Sequence, residues 1–236
     1  MRLDRYVSKA AGLSRSEARS QIRRGLVSVD GVQVRNAALV LDENARVRFS
    51  GRVLASPGPV YLMLHKPCGL ISATRDARQP TVLSLLPDEL AARVHLVGRL
   101  DKDTSGLLLL SDDGAWSHRI SAPGQHCPKV YLADLAQPLV GEAETRLADG
   151  IVLRNESAPT HPARLERLSD TRVRVTVTEG RYHLVRRLFA ALGNRVTALH
   201  RERVGGLLLD PQLAVGQWRE LDADERYAVF HSVNLG

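Results

Sequence analysis

The sequence predicts an α+β protein in two parts, and three observations carry that reading. Apolar residues near the start follow helical spacing, those beyond residue 59 fall into short strand-like runs, and a Gly/Ser/Pro segment separates the two regions. That segment, SGRVLASPGP at 50–59, has the composition that ends regular structure and reads as a linker. Domains of 1–58 and 59–236 are expected.

In the first part Leu3, Tyr6, Val7 and Ala10 follow helical spacing, and Ser14 with Glu17 has the pattern of a capping box that starts a second helix. Gly25 stands where a helix-ending residue belongs. Val27, Val29, Val32 and Val34 then alternate around Asp30-Gly31, a hairpin signal. Arg15, Arg19 and Arg23 recur every four residues, which puts three guanidinium groups on one face of the second helix. Arg2, Arg5 and Arg24 add to the charge. A row of this kind is either a solvated face or a grip for phosphates, and pattern alone leaves both open.

In the second part, strands are expected at Tyr61–Leu64, Val94–Val97, Leu107–Leu110, Val130–Leu135 and Val173–Val177, the last with strict alternation. Leu184, Val185, Leu188, Phe189 and Leu192 form one apolar helix face ended by Gly193-Asn194. A final helix is expected to start at Asp222, with Glu225 completing a capping box. No internal repeat or low-complexity tract is evident.

Composition bounds the function. At 236 residues the chain can form one or two domains around a sizeable core, and 44% hydrophobic residues fit a soluble globular protein. Lys and Arg number 33 against 26 Asp and Glu, a formal charge of +7, which suggests an anionic polymer as partner. No apolar run approaches the roughly 18 residues of a membrane span, and Met1–Ala10 is too charged and periodic for a signal peptide. Cys68 and Cys127 lack CxxC spacing, so neither a zinc site nor a disulfide framework is expected and a reducing cytoplasm fits. The absence of a Gly-rich phosphate loop argues against a nucleotide cofactor.

Residues 96–111, LVGRLDKDTSGLLLLS, concentrate reactive groups: a polar turn set between apolar runs. Gly98 permits a sharp bend, Arg99 and Asp101 lie two residues apart, and Leu107–Leu110 read as a fully buried strand. An Asp-rich turn is by itself an ordinary turn. The Asp101/Asp103 pair also has a DxD spacing, but Thr104 follows immediately and no further acidic pair for magnesium is evident downstream. A carboxylate held between two buried runs beside Arg99, Lys102, Thr104 and Ser105 reads better as a positioned nucleophile.

GRLDKDTSGLLLLSDDG resembles the catalytic signature of the RNA pseudouridine synthases that modify ribosomal RNA, in the subgroup with an amino-terminal S4 domain. YLMLHKPCGLISAT at 61–74, HCPKVYLADL at 126–135, EGRYHLVRRLFAALGNRV at 179–196 and LHRERVGGLLLD at 199–210 agree in order and spacing, and RLDRYVSKAAGLSRSEARSQIRRGLVSVDG resembles the S4 RNA-binding module. The resemblance covers nearly the whole chain. It implies an S4 domain followed by a synthase domain with a mixed, largely antiparallel sheet flanked by helices. It also implies an isomerase that needs no metal and no cofactor, because the reaction breaks the N1–sugar bond of uridine and rejoins the ring through C5 without net redox change or hydrolysis.

By the same resemblance Asp101 is the nucleophile, Tyr131 stacks on the uracil and can take the C5 proton, and Arg186 is the basic residue that pairs with the aspartate. Such a pair would hold Asp101 ionised. Arg99, Lys129, His183 and Arg187 are the expected RNA contacts of the synthase domain, with Arg2, Arg5, Arg15, Arg19, Arg23 and Arg24 those of the S4 domain. On pattern alone a Tyr in an alternating strand belongs to the core. His65 stands where Asn is usual in the family, and Leu184 where Gln is usual. The expected partner is ribosomal RNA within an assembling subunit, met by a cytoplasmic monomer. AWSHRISAPGQHCPKVYL at 115–132 resembles the branch that acts on small-subunit (16S) RNA. The large-subunit (23S) branch, and a non-catalytic S4-type assembly factor, are the alternatives.

Overall fold

A computed structural model describes residues 1–42, 45–55, 58–139 and 141–231, without the side chain of residue 123. The chain divides into two units, Met1–Pro59 and Val60–Gly236.

In the first unit, α1 (Leu3–Ala11) and α2 (Arg15–Arg23) precede a small sheet of β1 (Val27–Val29), β2 (Val32–Gln33), β3 (Val47–Phe49) and β4 (Arg52–Val53). The capping box at the start of α2 is complete: Ser14 Oγ accepts from Glu17 N, and the Glu17 carboxylate accepts from Ser14 N. The β1–β2 turn puts Asp30 and Gly31 both at positive φ, 51° and 84°, which is why an Asp-Gly pair stands there. Leu3, Val7, Ala18, Ile22, Val27 and Val47 close the core between helices and sheet. The linker expected over 50–59 is corrected in its first half. Ser50 and Gly51 form the β3–β4 turn, and Arg52–Val53 pairs with β3. Ser56 and Pro57 lie outside the described residues.

The second unit contains β5 (Tyr61–Lys66), α3 (Asp88–Ala91), β6 (His95–Val97), β7 (Thr104–Ser111), α4 (Gly114–Ser121), β8 (Lys129–Leu135) and α5 (Ala143–Asp149). It continues through β9 (Arg164–Arg167), β10 (Arg172–Val177), α6 (Leu184–Ala191), β11 (Val196–Val204), β12 (Leu207–Leu208), β13 (Trp218–Glu220) and α7 (Ala223–Ala228). The sheet runs β13-β5-β7-β11-β8-β10-β9, with β6 added on β7 and β12 on β11. Its pairings are antiparallel except for β7 with β11.

Leu107–Leu110 are fully buried because β7 is covered on both faces. Leu107 and Leu109 pack with Trp116 and Ile120 of α4, and Leu108 and Leu110 with Val82, Leu83 and Leu86 on the other side. Helix α6 buries Leu184, Val185, Leu188 and Phe189 against β8, β10 and β11, sharing that face with α5. Asp222 and Glu225 form the expected capping box of α7.

One edge of β7 is shared between two strands, and this positions the Asp101 loop. Its C-terminal residues pair with β6 (Val97 opposite Leu109), while its N-terminal residues pair with β11 (Leu199 opposite Thr104). The segment from Gly98 to Asp103 therefore lies where the β6–β7 hairpin opens and β11 enters. At that seam Gly106 has φ 109°, and a Cβ there would lie 2.3 Å from the Arg201 carbonyl oxygen, so only glycine allows the approach.

Candidate active site

The Asp101 loop is fastened through its backbone. Leu100 is buried in the core, and Ser72 Oγ accepts from Leu100 N (3.1 Å) and donates to Leu100 O (2.7 Å). At the end of β5 the wholly buried Lys66 directs Nζ at the carbonyls of Asp101 (3.0 Å), Thr104 (2.8 Å) and Pro67 (3.0 Å). Burial pushes the Lys66 ammonium below its ordinary pKa, while the nearby Cys68, Asp101 and Asp103 groups act in the opposite sense. Thr104 N closes the turn on Asp101 O (3.1 Å). The Asp101 backbone is pinned while its carboxylate projects into a pocket.

Arg99, Asp101, Thr104, Tyr131, Arg181 and His183 are among the residues lining that pocket. Tyr131 comes from β8, directly across from Arg201 of β11. Arg201 is 2% exposed, donates Nε to Leu107 O (2.8 Å), and brings Nη1 to 3.5 Å from the Tyr131 hydroxyl. Its Nη2 and the Thr104 hydroxyl are buried polar atoms with no hydrogen-bond partner among the described residues. The sheet thus sets the Arg201 guanidinium over the Tyr131 ring, with Cζ 6.0 Å from the ring centroid.

Among the described residues no arginine forms an ion pair with the carboxylate of Asp101. Its one ion-pair contact among the described residues is His183 Nε2 at 3.6 Å, longer than a hydrogen bond. The pairing of Arg186 with Asp101 expected from the sequence is corrected: Arg186 binds Asp103, Nη2 to Oδ2 at 2.8 Å, and donates to the carbonyls of Asp103 and Val196. From the first turn of α6 the guanidinium reaches the far end of the loop and the start of β11. It tethers the loop two residues beyond Asp101.

Other expected contacts also sit differently. Arg187 pairs with Glu156, which Arg181 also binds, and Arg181 further binds Glu179 (2.7 Å), so these cations are neutralised locally instead of being displayed for phosphate. Lys129 donates to Cys127 O (2.7 Å), its pKa lowered by burial, and is not among the pocket-lining residues. Arg99 is exposed at the pocket and has no carboxylate partner among the described residues. In the first unit Arg2, Arg15 and Arg19 converge on the buried Asp4 at 3.2, 3.1 and 2.9 Å while remaining about half exposed. Arg23 and Arg24 are exposed, and Arg5 is partly buried on α1. The structure thus brings together Asp101, Tyr131, His183 and Arg99, and places Arg186, Arg187 and Lys129 around them.

Sequence reasoning missed Lys66, Thr104 and Arg201 as site residues. Lys66 did carry a signal, a lone cation ending an apolar strand. Arg201 lies within the LHRERVGGLLLD segment that carries the resemblance, but Leu-His-Arg-Glu-Arg does not read as an interior strand, so its place at the site is not legible.

The arrangement suits chemistry on a polar, planar ligand: a carboxylate open to the pocket, an aromatic ring that also lines it, and a guanidinium over that ring. The RNA pseudouridylate synthase family matches residues 60–191, and the S4 domain family matches residues 1–47. The chain is 48% identical over 226 residues to ribosomal small subunit pseudouridine synthase A of Escherichia coli (strain K12), covering 95% of this chain and 98% of that protein. The Haemophilus influenzae protein of the same name is 43% identical over 227 residues, covering 95% and 97%. A crystal structure of a pseudouridylate synthase superposes with a TM-score of 0.71 at 41% identity, covering 97% of this chain and 99% of that one.

Proposed function

Because this chain belongs to the RNA pseudouridylate synthase family and carries an S4 domain ahead of the synthase domain, we propose that it converts a uridine of small-subunit (16S) ribosomal RNA to pseudouridine, with Asp101 as nucleophile. The carrying observation is the Asp101 carboxylate, pinned by its backbone and open to the pocket that Tyr131 lines. Among the described residues no arginine forms an ion pair with this carboxylate, which leaves its oxygens open to the pocket.

The reaction breaks N1–C1′ and forms C5–C1′, with the C5 proton lost and a proton gained at N1, so atoms balance without any co-reactant. Asp101 forms and releases a transient bond to the nucleoside. Tyr131 stacks on the uracil, and its hydroxyl oxygen accepts the C5 proton as it passes its own proton on, so that the net transfer is from C5 to N1. Extruding the base from structured RNA costs a few kcal/mol. Stacking, at about 1–3 kcal/mol per base, and phosphate contacts offset this. Arg99 at the pocket and the exposed arginines of the S4 domain are the phosphate contacts. Small-subunit RNA is favoured by the near full-length similarity to the small-subunit enzymes. The protein acts as a cytoplasmic monomer on RNA in an assembling subunit.

The test is pseudouridine mapping of both ribosomal RNAs from a strain lacking the protein, complemented with wild type or Asp101→Asn. One 16S pseudouridine should disappear, return with wild type, and stay absent with Asp101→Asn. A site lost from 23S RNA instead, or none lost from either, overturns the reading.

A further inference from the structure

Tyr182 is the most exposed aromatic side chain among the described residues, at 75%. One face of its ring stacks on His183, with centroids 3.8 Å apart and planes inclined by 18°. Consecutive side chains ordinarily diverge. They stack here because His183 adopts φ 50°, a left-handed conformation that costs a non-glycine residue of order 1 kcal/mol. On the pocket side, His183 Nε2 lies 3.6 Å from the Asp101 carboxylate. Strained backbone therefore builds a two-ring stack that begins at the pocket and ends in an aromatic face open to solvent.

The charges around this rim narrow what that face can meet. Arg181 and Arg187, its immediate basic neighbours, are bound to Glu156, and Arg181 also to Glu179. Phosphate attraction is weak where the cations are already paired. What the rim offers a polynucleotide is a π face, which any base can stack on. When the target uridine turns out of its column into the pocket, its neighbour in the chain loses a stacking face.

We infer that Tyr182 is a binding residue for the nucleobase adjoining the target uridine, its outer ring face replacing the stack that extrusion removes. The inference rests on the reading of the pocket as a pseudouridine-forming site. It assigns Tyr182 to RNA affinity, separate from the chemistry at Asp101.

The test uses the full chain and a 16S transcript fragment containing the mapped uridine, with 2-aminopurine placed in turn at each adjoining position. Tyr182→Ala should weaken binding about tenfold, within the range of one lost base stack, while Tyr182→Phe stays within about twofold of wild type. Tyr182→Leu, apolar but not planar, should behave like alanine. The loss should fall on Kd and kcat/KM, not on the single-turnover rate at saturating RNA. Wild type should quench 2-aminopurine at one adjoining position and Tyr182→Ala should not. Because the side chain is exposed, all three variants should melt close to wild type. Unchanged affinity of Tyr182→Ala, or leucine serving as well as phenylalanine, overturns the inference. Asp101→Asn is assayed alongside: turnover by that variant defeats the functional reading itself, whereas an inactive Asp101→Asn beside a fully binding Tyr182→Ala defeats only the role of Tyr182.

Discussion

Asp4 in the first unit and Asp101 in the second are both held by well-packed chain, and their surroundings differ in every other respect. Asp4 is fully buried and takes hydrogen bonds from Arg2, Arg15 and Arg19. Burial alone would raise its pKa, but Arg19, Arg2 and Arg15 together outweigh that and bring it down to about 2. Asp101 keeps a partly exposed carboxylate with no arginine, and its fixity comes from Lys66 and Ser72 acting on the backbone. A side chain tied by three cations is inert structure. One held by its main chain is positioned while its carboxylate stays free for the role proposed.

The strongest challenge to this contrast is Asp101→Asn. It should fold and bind RNA normally yet lose more than about a thousandfold in turnover, because an amide has nearly the same shape but neither charge nor nucleophilicity. Carbodiimide labelling of pseudouridine in the RNA product, read by primer extension and with the enzyme preparation checked for deamidation, gives the result. Activity within about tenfold of wild type removes Asp101 from its role.

Lys66→Met comes next. The carbonyls of Asp101 and Thr104 lose their donor, and buried acceptors left unmatched cost about 1–3 kcal/mol each. Turnover should fall about a hundredfold, with a lower melting temperature and RNA affinity little changed. A stable Lys66→Met protein with wild-type turnover would show that the main-chain fastening is dispensable.

Arg186→Met should lower turnover about tenfold, since the outer end of the loop loses its tie to α6. As Arg186 pairs with Asp103 and not with Asp101, the acidic limb of the pH–rate profile should stay where it is in wild type. An upward move of that limb would show that the guanidinium acts on Asp101 directly during the reaction.

Asp4→Asn should affect turnover at saturating RNA least and stability most visibly at neutral pH. The folded-state pKa of Asp4 lies below its ordinary 3.8, so its contribution is present above about pH 4 and is lost as pH falls toward 2. Urea melts should show wild type more stable than Asp4→Asn by about 1–2 kcal/mol at pH 6, the partly exposed guanidiniums reducing the full value, and a gap that closes by about pH 2. A gap independent of pH would mean that packing, not charge, is what Asp4 contributes.

The parts of the fold legible in the sequence are those where local chemistry and tertiary context agree. The Ser14/Glu17 and Asp222/Glu225 caps, the Asp30-Gly31 turn, and the runs at 61–64 and 107–110 fall into this class. Strand β11 was not legible, since its polar residues are explained only by distant partners: His200 by Ser105, Arg201 by Leu107 and Tyr131, Glu202 by Arg174. The same holds at the site. The loop around Asp101 stands out in one stretch of chain, but Arg186 and Arg187 look alike in sequence and differ only in which carboxylate lies within reach, Asp103 or Glu156. Hydrophobic period says where a helix face points, and nothing in it says which of several acidic groups an arginine will meet.

The single parallel seam of the sheet also sets a timetable. Ser105 and His200, hydrogen-bonded across it, are 95 residues apart, and contacts of such separation carry a loop-closure entropy that delays them relative to the hairpins. A growing chain can pair β5, β6 and β7 early, yet the Asp101 loop has no completed wall until β11 has emerged and slid in beside Gly106, in the gap that β6 leaves unpaired. Completion of the pocket is therefore among the last steps this topology allows, and a chain interrupted before β11 has the Asp101 loop without the strand that finishes its wall.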